Sequence, residues 1–179
     1  MQRISDPQKS FRQAMAHLSA AVSVLTTNGP GGKCGVTASA VCSVTDSPPT
    51  LLVCLNRSSA MYEVFATNQV LCVNVLEGEH TELARHFSGV TGVPMSARFE
   101  WPIWDRGQHD LPVLRDALVS LQGQVVECKA VGSHSVMFIK LIDIKVREDA
   151  EALVYYGRQF HRVRCVREPA ASTPAGPNS

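Results

Sequence analysis

Two long stretches of strand-like composition, residues 117–131 and 134–147, are separated in the sequence by only two residues, Gly132 and Ser133. So short a reversal joins antiparallel neighbours, because parallel strands need a crossover of a dozen or more residues. Further runs rich in β-branched residues predict strands at 21–27, 34–45, 50–56, 69–76 and 152–156. The chain is therefore predicted to be mainly β, an antiparallel barrel with a few flanking helices, and not a parallel α/β sheet.

The first predicted helix opens at Asp6-Pro7, because aspartate caps helix N-termini and proline suits the first helical position. Its apolar residues follow the i, i+4, i+7 spacing of one buried face: Phe11, Met15 and Leu18. Two shorter helices are predicted at residues 59–67 and 79–88.

The bulk composition fits one globular domain. With 179 residues, 45% of them hydrophobic, the chain can bury a core of its own, and we expect the domain to span residues 1–166. The Pro/Ala/Ser-rich segment 167–179 predicts a disordered tail. A net charge of +1 argues against nucleic acid or anionic membrane as a partner. The N-terminus lacks an apolar stretch and no apolar run approaches a membrane span, so a cytoplasmic protein is expected.

No metal centre is predicted. None of the six cysteines lies in a CxxC pair, and most sit in apolar, strand-like runs, so reduced and buried thiols are expected. His80 and His86 are six residues apart, which places them on different faces of a helix and argues against a shared metal ion.

Residues 33–45 alternate with period two, as in a strand with two different faces. One face is predicted to point into the core and consists of small apolar residues: Cys34, Val36, Ala38, Ala40, Cys42 and Val44. The other face is nearly all short hydroxyls and lacks long charged side chains: Gly35, Thr37, Ser39, Val41, Ser43 and Thr45. Short hydroxyls leave room for a flat ligand and supply donors and acceptors to its edge. A hydroxyl-rich strand facing solvent explains the pattern equally well.

Residues 54–59 lead from a strand into the second predicted helix. Ser58 or Ser59 can cap this helix, and the free N–H groups of its first turn can bind a phosphate. Arg57 can add a charge-assisted contact. Helix capping without any ligand accounts for the same residues.

Asn74 interrupts the apolar run VLCVNVL, where a buried amide needs hydrogen-bond partners. It can bind the polar edge of a ligand or pin a neighbouring loop, and the sequence does not separate the two roles. Arg85 and His86 lie in the last turn of a predicted helix, where basic residues complement the helix dipole without any ligand.

Two further groups lie near chain reversals. His134 follows the Gly132-Ser133 reversal and is either available to a substrate or only a turn residue. Residues 155–161 (YYGRQFH) combine aromatic, cationic and imidazole groups that can stack on and pair with a nucleotide. The glycine-rich GxGxxG and GxxxxGK[ST] motifs are absent, so any nicotinamide binds without a Rossmann domain.

Taken together, these segments resemble the flavin-reductase-like family, which has the FMN-binding split-barrel fold. The matching stretches keep their order over residues 11–163 and are FRQAMAHLSAAVSVLTT, GVTASAVCSVTDSPPTLLVCLNRSSAM, LCVNVL, ARHFSGVTGVPMSARF, VGSHSV and LVYYGRQFHRV. Within the family, the sequence is most similar to reductases that serve two-component hydroxylation of 4-hydroxyphenylacetate.

The resemblance implies a homodimer of Greek-key split barrels, with each flavin near the subunit interface. It places the isoalloxazine edge against Thr37, Ala38 and Ser39. It places the ribityl-phosphate arm along Asn56, Ser58 and Ser59, and it completes the flavin pocket with Asn74, Arg85 and Phe87. It places His134, as the catalytic-site residue, on the nicotinamide side, which a C-terminal segment closes with Tyr155, Arg158 and His161.

The resemblance implies an NAD(P)H:flavin oxidoreductase that reduces FAD or FMN with NADH or NADPH. Reduced flavin would then diffuse to the oxygenase component of a monooxygenase that attacks an aromatic compound. The sequence leaves two alternative functions open. One is a reductase serving pyrimidine-ring oxygenation, and the other is a non-catalytic flavin-binding electron carrier on the same fold.

Overall fold

The computed structural model describes residues 6–148 and 150–164, so the predicted tail at 167–179 and the domain boundary at 166 lie outside the described residues. Its α-helices are α1 (Pro7–Met15), α2 (Tyr62–Asn68), α3 (Thr81–Phe87) and α4 (Met95–Arg98). A short 3₁₀ turn spans Gln108–Asp110. None of the described helices is long and apolar enough to cross a membrane.

Twelve β-strands make up the rest of the described regular structure. They are β1 (Ala20–Ala21), β2 (Ser23–Thr27), β3 (Cys34–Ala38), β4 (Val41–Asp46), β5 (Pro49–Asn56), β6 (Val70–Val75), β7 (Trp104–Arg106), β8 (Pro112–Leu114), β9 (Val119–Val131), β10 (His134–Val146), β11 (Ala152–Tyr156) and β12 (Gln159–Val163). The expectation of a mainly β chain with few helices is confirmed.

Seven strands form the main antiparallel sheet, in the order β3-β2-β6-β9-β10-β5-β4. At its centre is the predicted hairpin of β9 and β10, in which His134 pairs with Val131 and Val146 with Val119. Among the described residues, the two end strands β3 and β4 share no hydrogen-bonded ladder. The series is therefore open, and the closed barrel expected from the sequence is not seen. Smaller sheets contain β1, β11 and β12, and β7 with β8.

Side chains from both ends of the series nevertheless pack into one core. Leu25, Val53, Leu71 and Met137 are buried there around Phe65 of α2, which is 1% exposed. Burying a side chain of this size contributes about 1.5–3 kcal/mol to folding. The sheet is thus curled around α2, and this curling brings the end of β3 near the end of β5.

The predicted strand 34–45 is broken at Ser39-Ala40, which separates β3 from β4. The break shifts the alternation, so Val41 packs against the core, whereas Val44 is 47% exposed. The prediction that Cys42 and Val44 face the core is therefore wrong. A period-two pattern predicts which side chains face the core only as long as the strand is not interrupted.

The first helix forms as predicted, with the Asp6 carboxylate accepting from the Gln8 N–H (2.9 Å). The helix ends at Met15, before Leu18, and all three predicted face residues are exposed: Phe11 by 63%, Met15 by 42% and Leu18 by 61%. The predicted buried face of α1 is therefore wrong within this chain.

The cysteines divide by environment. Cys34 and Cys72 are buried, and burial raises the pKa of each thiol to about 12. Both therefore stay protonated and unreactive at neutral pH. Cys42 and Cys128 are exposed free thiols, contrary to the expectation that the cysteines are buried.

Candidate active site

Two cavities share one wall at the end of β3. The wall consists of Thr37, Ala38 and Ser39, the three residues that the family resemblance implies for a flavin edge. The first cavity, here the His134 cavity, measures about 270 Å³. The second, the Arg85 cavity, measures about 400 Å³. Both cavities are therefore lined in part by the same three short side chains.

The wall is held in place by a hydrogen bond to α3. The Thr37 hydroxyl donates to the backbone carbonyl of Ala84 at 2.6 Å. This bond holds the end of β3 against α3, the helix that carries Arg85. Behind this contact Phe87 lies against Gly35, where an added Cβ would come within 2.7 Å of the Phe87 ring. Phe87 is only 2% exposed and lines neither cavity, so it supports the wall from behind.

The His134 cavity lies where β5 ends and β10 begins. The antiparallel register places His134 directly opposite Asn56, and both residues line the cavity. The imidazole Nδ1 is 2.9 Å from the Ser133 hydroxyl, which leaves Nε2 free for another partner. One imidazole and one amide therefore meet at the rim of this cavity.

The turn after β5 differs from the predicted helix cap. The Asn56 side-chain oxygen accepts from both the N–H and the hydroxyl of Ser58, at 3.0 and 2.9 Å. Ser59 accepts from the Met61 N–H at 3.3 Å. Helix α2 begins only at Tyr62 and has no side-chain cap. The prediction that Ser58 or Ser59 caps this helix is therefore wrong, and these groups instead order the turn beside the cavity.

The Arg85 cavity is bounded by α3 and by the turn between β11 and β12. That turn contains Gly157 and Arg158, with φ of +58° and +66°, as a two-residue type I′ hairpin turn requires. Arg85 and Arg158 both line the cavity, and its lining contains no carboxylate. The only ion pair of Arg85 in the described chain is a long one to Glu82, at 3.8 Å. The cavity therefore suits an anionic group such as a phosphate.

The remaining nicotinamide-side residues separate into two positions. Tyr155 lines the Arg85 cavity and packs edge-on against Phe160, with ring centroids 5.3 Å apart. His161 lines neither cavity, and its Nε2 lies 3.0 Å from the backbone carbonyl of Tyr156. His161 therefore contacts the hairpin itself and not the space that a ligand would fill.

Asn74 also lies away from both cavities. Its side chain is fully buried and donates to the Val24 carbonyl (3.0 Å) and the Thr26 hydroxyl (3.1 Å). Its oxygen accepts from the Leu114 N–H at 2.8 Å. Of the two roles left open by the sequence, the geometry matches the loop-pinning one, because these bonds hold β8 against the sheet.

Several lining residues were not singled out as site residues from the sequence. In the His134 cavity they are Met61, Tyr62 and Phe65, and in the Arg85 cavity they are Val22, Ser88 and Val90. Tyr62 is the most specific of them, because its phenol oxygen accepts from the buried Ser135 hydroxyl at 3.0 Å. An aromatic residue in an amphipathic helix is ordinarily a core residue, so only the fold reveals its position here.

The site has the features of one built for flat organic molecules. Short side chains form the shared wall, aromatic rings lie on both sides, and two arginines face one cavity. Within residues 6–148 and 150–164 no cluster of three or more potential metal ligands is found. The residues present therefore fit a flavin and a nicotinamide.

Comparison with known proteins agrees with this reading. The family model described as "Flavin reductase like domain" matches residues 15–164. The 4-hydroxyphenylacetate 3-monooxygenase reductase component of Pseudomonas aeruginosa is 56% identical over 170 residues, which cover 95% of this chain and all of the relative. An FMN reductase (NADH), RutF, of Variovorax paradoxus is 47% identical over 157 residues, covering 88% of this chain and 86% of the relative.

A solved structure gives the same result. BorF, the flavin reductase component of a bacterial two-component tryptophan halogenase, superimposes with a TM-score of 0.83. The two are 25% identical, and the match covers 89% of this chain and 99% of BorF. The resemblance noted from the sequence is confirmed.

Proposed function

The chain belongs to the flavin reductase like domain family, and from that premise we propose that it is the reductase of a two-component flavin-dependent monooxygenase. It takes electrons from NADH, reduces FAD or FMN, and releases the reduced flavin to an oxygenase that hydroxylates an aromatic compound. The observation that carries this proposal is the wall of Thr37, Ala38 and Ser39 shared by two cavities. Hydride transfer requires two flat rings in contact, and we expect ligands held against this common wall to meet there.

The chemistry comes from the two ligands: a hydride passes from the nicotinamide to the flavin, so the nicotinamide is oxidised and the flavin is reduced. The protein supplies position and electrostatics. Thr37, Ala38 and Ser39 would hold the flavin edge, and the turn of Asn56, Ser58 and Ser59 would follow its ribityl-phosphate arm. Holding both rings in a near-attack geometry removes much of the entropic barrier of a bimolecular encounter.

The cations of the Arg85 cavity would bind the charged part of a ligand. Arg85 and Arg158 face a space without carboxylates, next to the ring of Tyr155. We assign Arg158 and Tyr155 to the nicotinamide side and Arg85 to the flavin. His161 would act only by shaping the hairpin, and Phe87 and Asn74 by supporting the pocket. The choices between FAD and FMN, and between NADH and NADPH, are outcomes of the assay below.

The proposal is tested by oxidation of NADH and NADPH by the purified full-length chain, with and without added FAD, FMN or riboflavin. Oxidation that rises with the concentration of free flavin is expected, because the protein uses flavin as a substrate. Failure to oxidise either nicotinamide, by a protein that keeps flavin bound through gel filtration, would show the electron-carrier function instead. Transfer to an oxygenase is tested by coupling the reductase to an aromatic hydroxylase across a dialysis membrane.

Replacing His134 with alanine is expected to raise the KM for the nicotinamide more than it lowers kcat. His134 would orient the nicotinamide through one hydrogen bond, whose loss raises KM by about tenfold. The matched control is His109→Ala, since that imidazole is exposed and lines neither cavity. Steady-state kinetics with NADH as the varied substrate provide the measurement. An unchanged KM in His134→Ala would contradict the assignment.

We also propose that the chain forms a homodimer, with its action in the cytoplasm. The support is an apolar surface that this chain leaves exposed, including Ile142 (43%) and Ile144 (50%) on one face of β10. Exposed apolar patches of this kind mark interfaces. Light scattering is expected to show a dimer for the wild type and a monomer for Ile144→Lys. Val163→Lys, at a similarly exposed site on β12 (49%), is the control. A monomeric wild type would contradict the proposal.

A further inference from the structure

The lining of the Arg85 cavity comes mainly from two parts of the chain, and each part supplies the same kinds of group. Helix α3 and the loop that follows it contribute Arg85 and Val90. The hairpin of β11 and β12 contributes Arg158 together with the rings of Tyr155 and Phe160. The cavity therefore combines guanidinium groups, which suit the anionic part of a ligand, with apolar surface, which suits a flat ring.

Val90 is an apolar lining residue whose surface is open to a ligand. Its side chain is 70% exposed, the largest exposed fraction among the large hydrophobic side chains of residues 6–148 and 150–164. Val22 lines the same cavity but is only 1% exposed, so it already belongs to the core. Contact with a ring would remove apolar surface of Val90 from water, which is favourable. Val90 can thus contribute binding energy that Val22 cannot.

The loop between α3 and α4 holds Val90 in place without any ligand. The Thr91 hydroxyl oxygen lies 2.7 Å from Nδ1 of His86, in α3. The Val93 carbonyl accepts from two nitrogens of the Arg98 guanidinium, in α4, at 2.9 and 2.6 Å. The residues that follow Val90 are therefore bonded to both flanking helices. A contact that is already in position loses less conformational freedom when a ligand binds.

We propose that Val90 packs against the nicotinamide ring of the dinucleotide and sets the affinity of the Arg85 cavity for it. This inference rests on the proposed function and adds to it a binding residue that acts by apolar contact. Tyr155 and Arg158, assigned above to the nicotinamide side, line the same cavity. The wall of residues 37–39, against which the flavin is expected, lines it as well. The nicotinamide ring must lie next to that wall to reach the flavin, so Val90 contacts this ring and not the adenine.

The test is steady-state kinetics of Val90→Ala with NADH as the varied substrate. The KM for NADH is expected to rise about fivefold, because the truncation removes part of an apolar contact, and kcat should stay within about twofold. Val90→Ile keeps the contact and should restore a KM near that of the wild type. The matched control is Val126→Ala, which is 59% exposed on β9 and lines neither cavity. An unchanged KM in Val90→Ala, or an equal rise in Val126→Ala, would overturn the proposal.

Two further substrates identify the group that Val90 contacts. Reduced nicotinamide mononucleotide lacks the adenine, so its KM should rise in Val90→Ala by the same factor as that of NADH. A rise for NADH alone would place Val90 against the adenine and would overturn the proposal. With flavin as the varied substrate, the KM should stay within about twofold of the wild type. A raised flavin KM with an unchanged NADH KM would place Val90 against the flavin, which also contradicts the proposal.

A binding measurement separates this inference from the proposed function. Titration of the flavin-free chain with NADH, followed by NADH fluorescence, requires no turnover. Weaker binding by Val90→Ala than by the wild type would support the inference even if the wild type reduced no flavin. A wild type that reduces flavin but binds NADH no more tightly than Val90→Ala would overturn the inference and leave the proposed function intact. The melting temperature of Val90→Ala should equal that of the wild type, because the side chain is largely exposed.

Discussion

Tryptophan in place of Ser39 is expected to lower kcat/KM for both flavin and nicotinamide by about 100-fold or more. Ser39 belongs to the wall that the His134 and Arg85 cavities share, so an indole there projects into the space of either ligand. A loss of about 3 kcal/mol of transition-state stabilisation corresponds to such a factor. The residue is exposed and outside regular strand structure, so the fold should tolerate the substitution.

The control for this prediction is Ser43→Trp. Ser43 is also exposed and lies four residues on, in β4, but it lines neither cavity. Steady-state kinetics with each substrate varied in turn, together with melting temperatures, complete the comparison. If Ser39→Trp and Ser43→Trp retain equal activity, the shared wall is not where the ligands meet.

The shared wall also explains why one local change should affect both substrates. A reductase of this kind needs the flavin to leave after reduction, so its site cannot enclose the flavin completely. The His134 and Arg85 cavities are both open to solvent, and their binding groups are mostly short hydroxyls, one amide and two arginines. Such a site favours positioning over tight retention, which agrees with flavin as a substrate that is released.

The sequence predicts the centre of the fold well because local rules decide it. The two residues between β9 and β10 permit only a hairpin, and the hairpin is observed. Strand continuity is harder to predict, because the composition of residues 34–45 does not indicate that the strand is interrupted at Ser39-Ala40. That break reverses which side chains face the core, and it begins at Ser39, the last residue of the shared wall.

The same contrast applies to the site. The hydroxyls of Thr37 and Ser39 are visible as a pattern, and His134 is visible beside a reversal. Tyr62 is not visible, because its role follows from a contact with Ser135, 73 residues away. Which side of a helix meets a given strand is decided by tertiary packing, and no local pattern encodes it. The exposure of Phe11 in α1 is a similar case, since a helical pattern predicts an apolar face but not what covers it.

Asn74 offers the sharpest test of this limit, because the sequence leaves two roles open. Alanine at this position is expected to lower the free energy of unfolding by about 3 kcal/mol. It removes an acceptor from the Leu114 N–H and donors to the Val24 carbonyl and Thr26 hydroxyl, all of them buried. For a chain of this size the melting temperature should fall by about 6–12 °C.

The matched variant is Ser120→Ala, because Ser120 is the cross-strand partner of Asn74, is equally buried, and has an unpartnered hydroxyl. It should leave stability unchanged, so the difference between the two variants measures the hydrogen bonds of Asn74 and not the loss of a polar atom. The KM for flavin, measured below the melting transition, should change less than about threefold in Asn74→Ala, because the side chain lines neither cavity. A raised flavin KM with an unchanged melting temperature would instead assign Asn74 to the ligand. If Asn74 pins the loop, Asn74→Ala lowers the melting temperature and leaves the flavin KM nearly unchanged. If Asn74 binds the ligand, the flavin KM rises and the melting temperature does not change, so this one variant distinguishes the two roles.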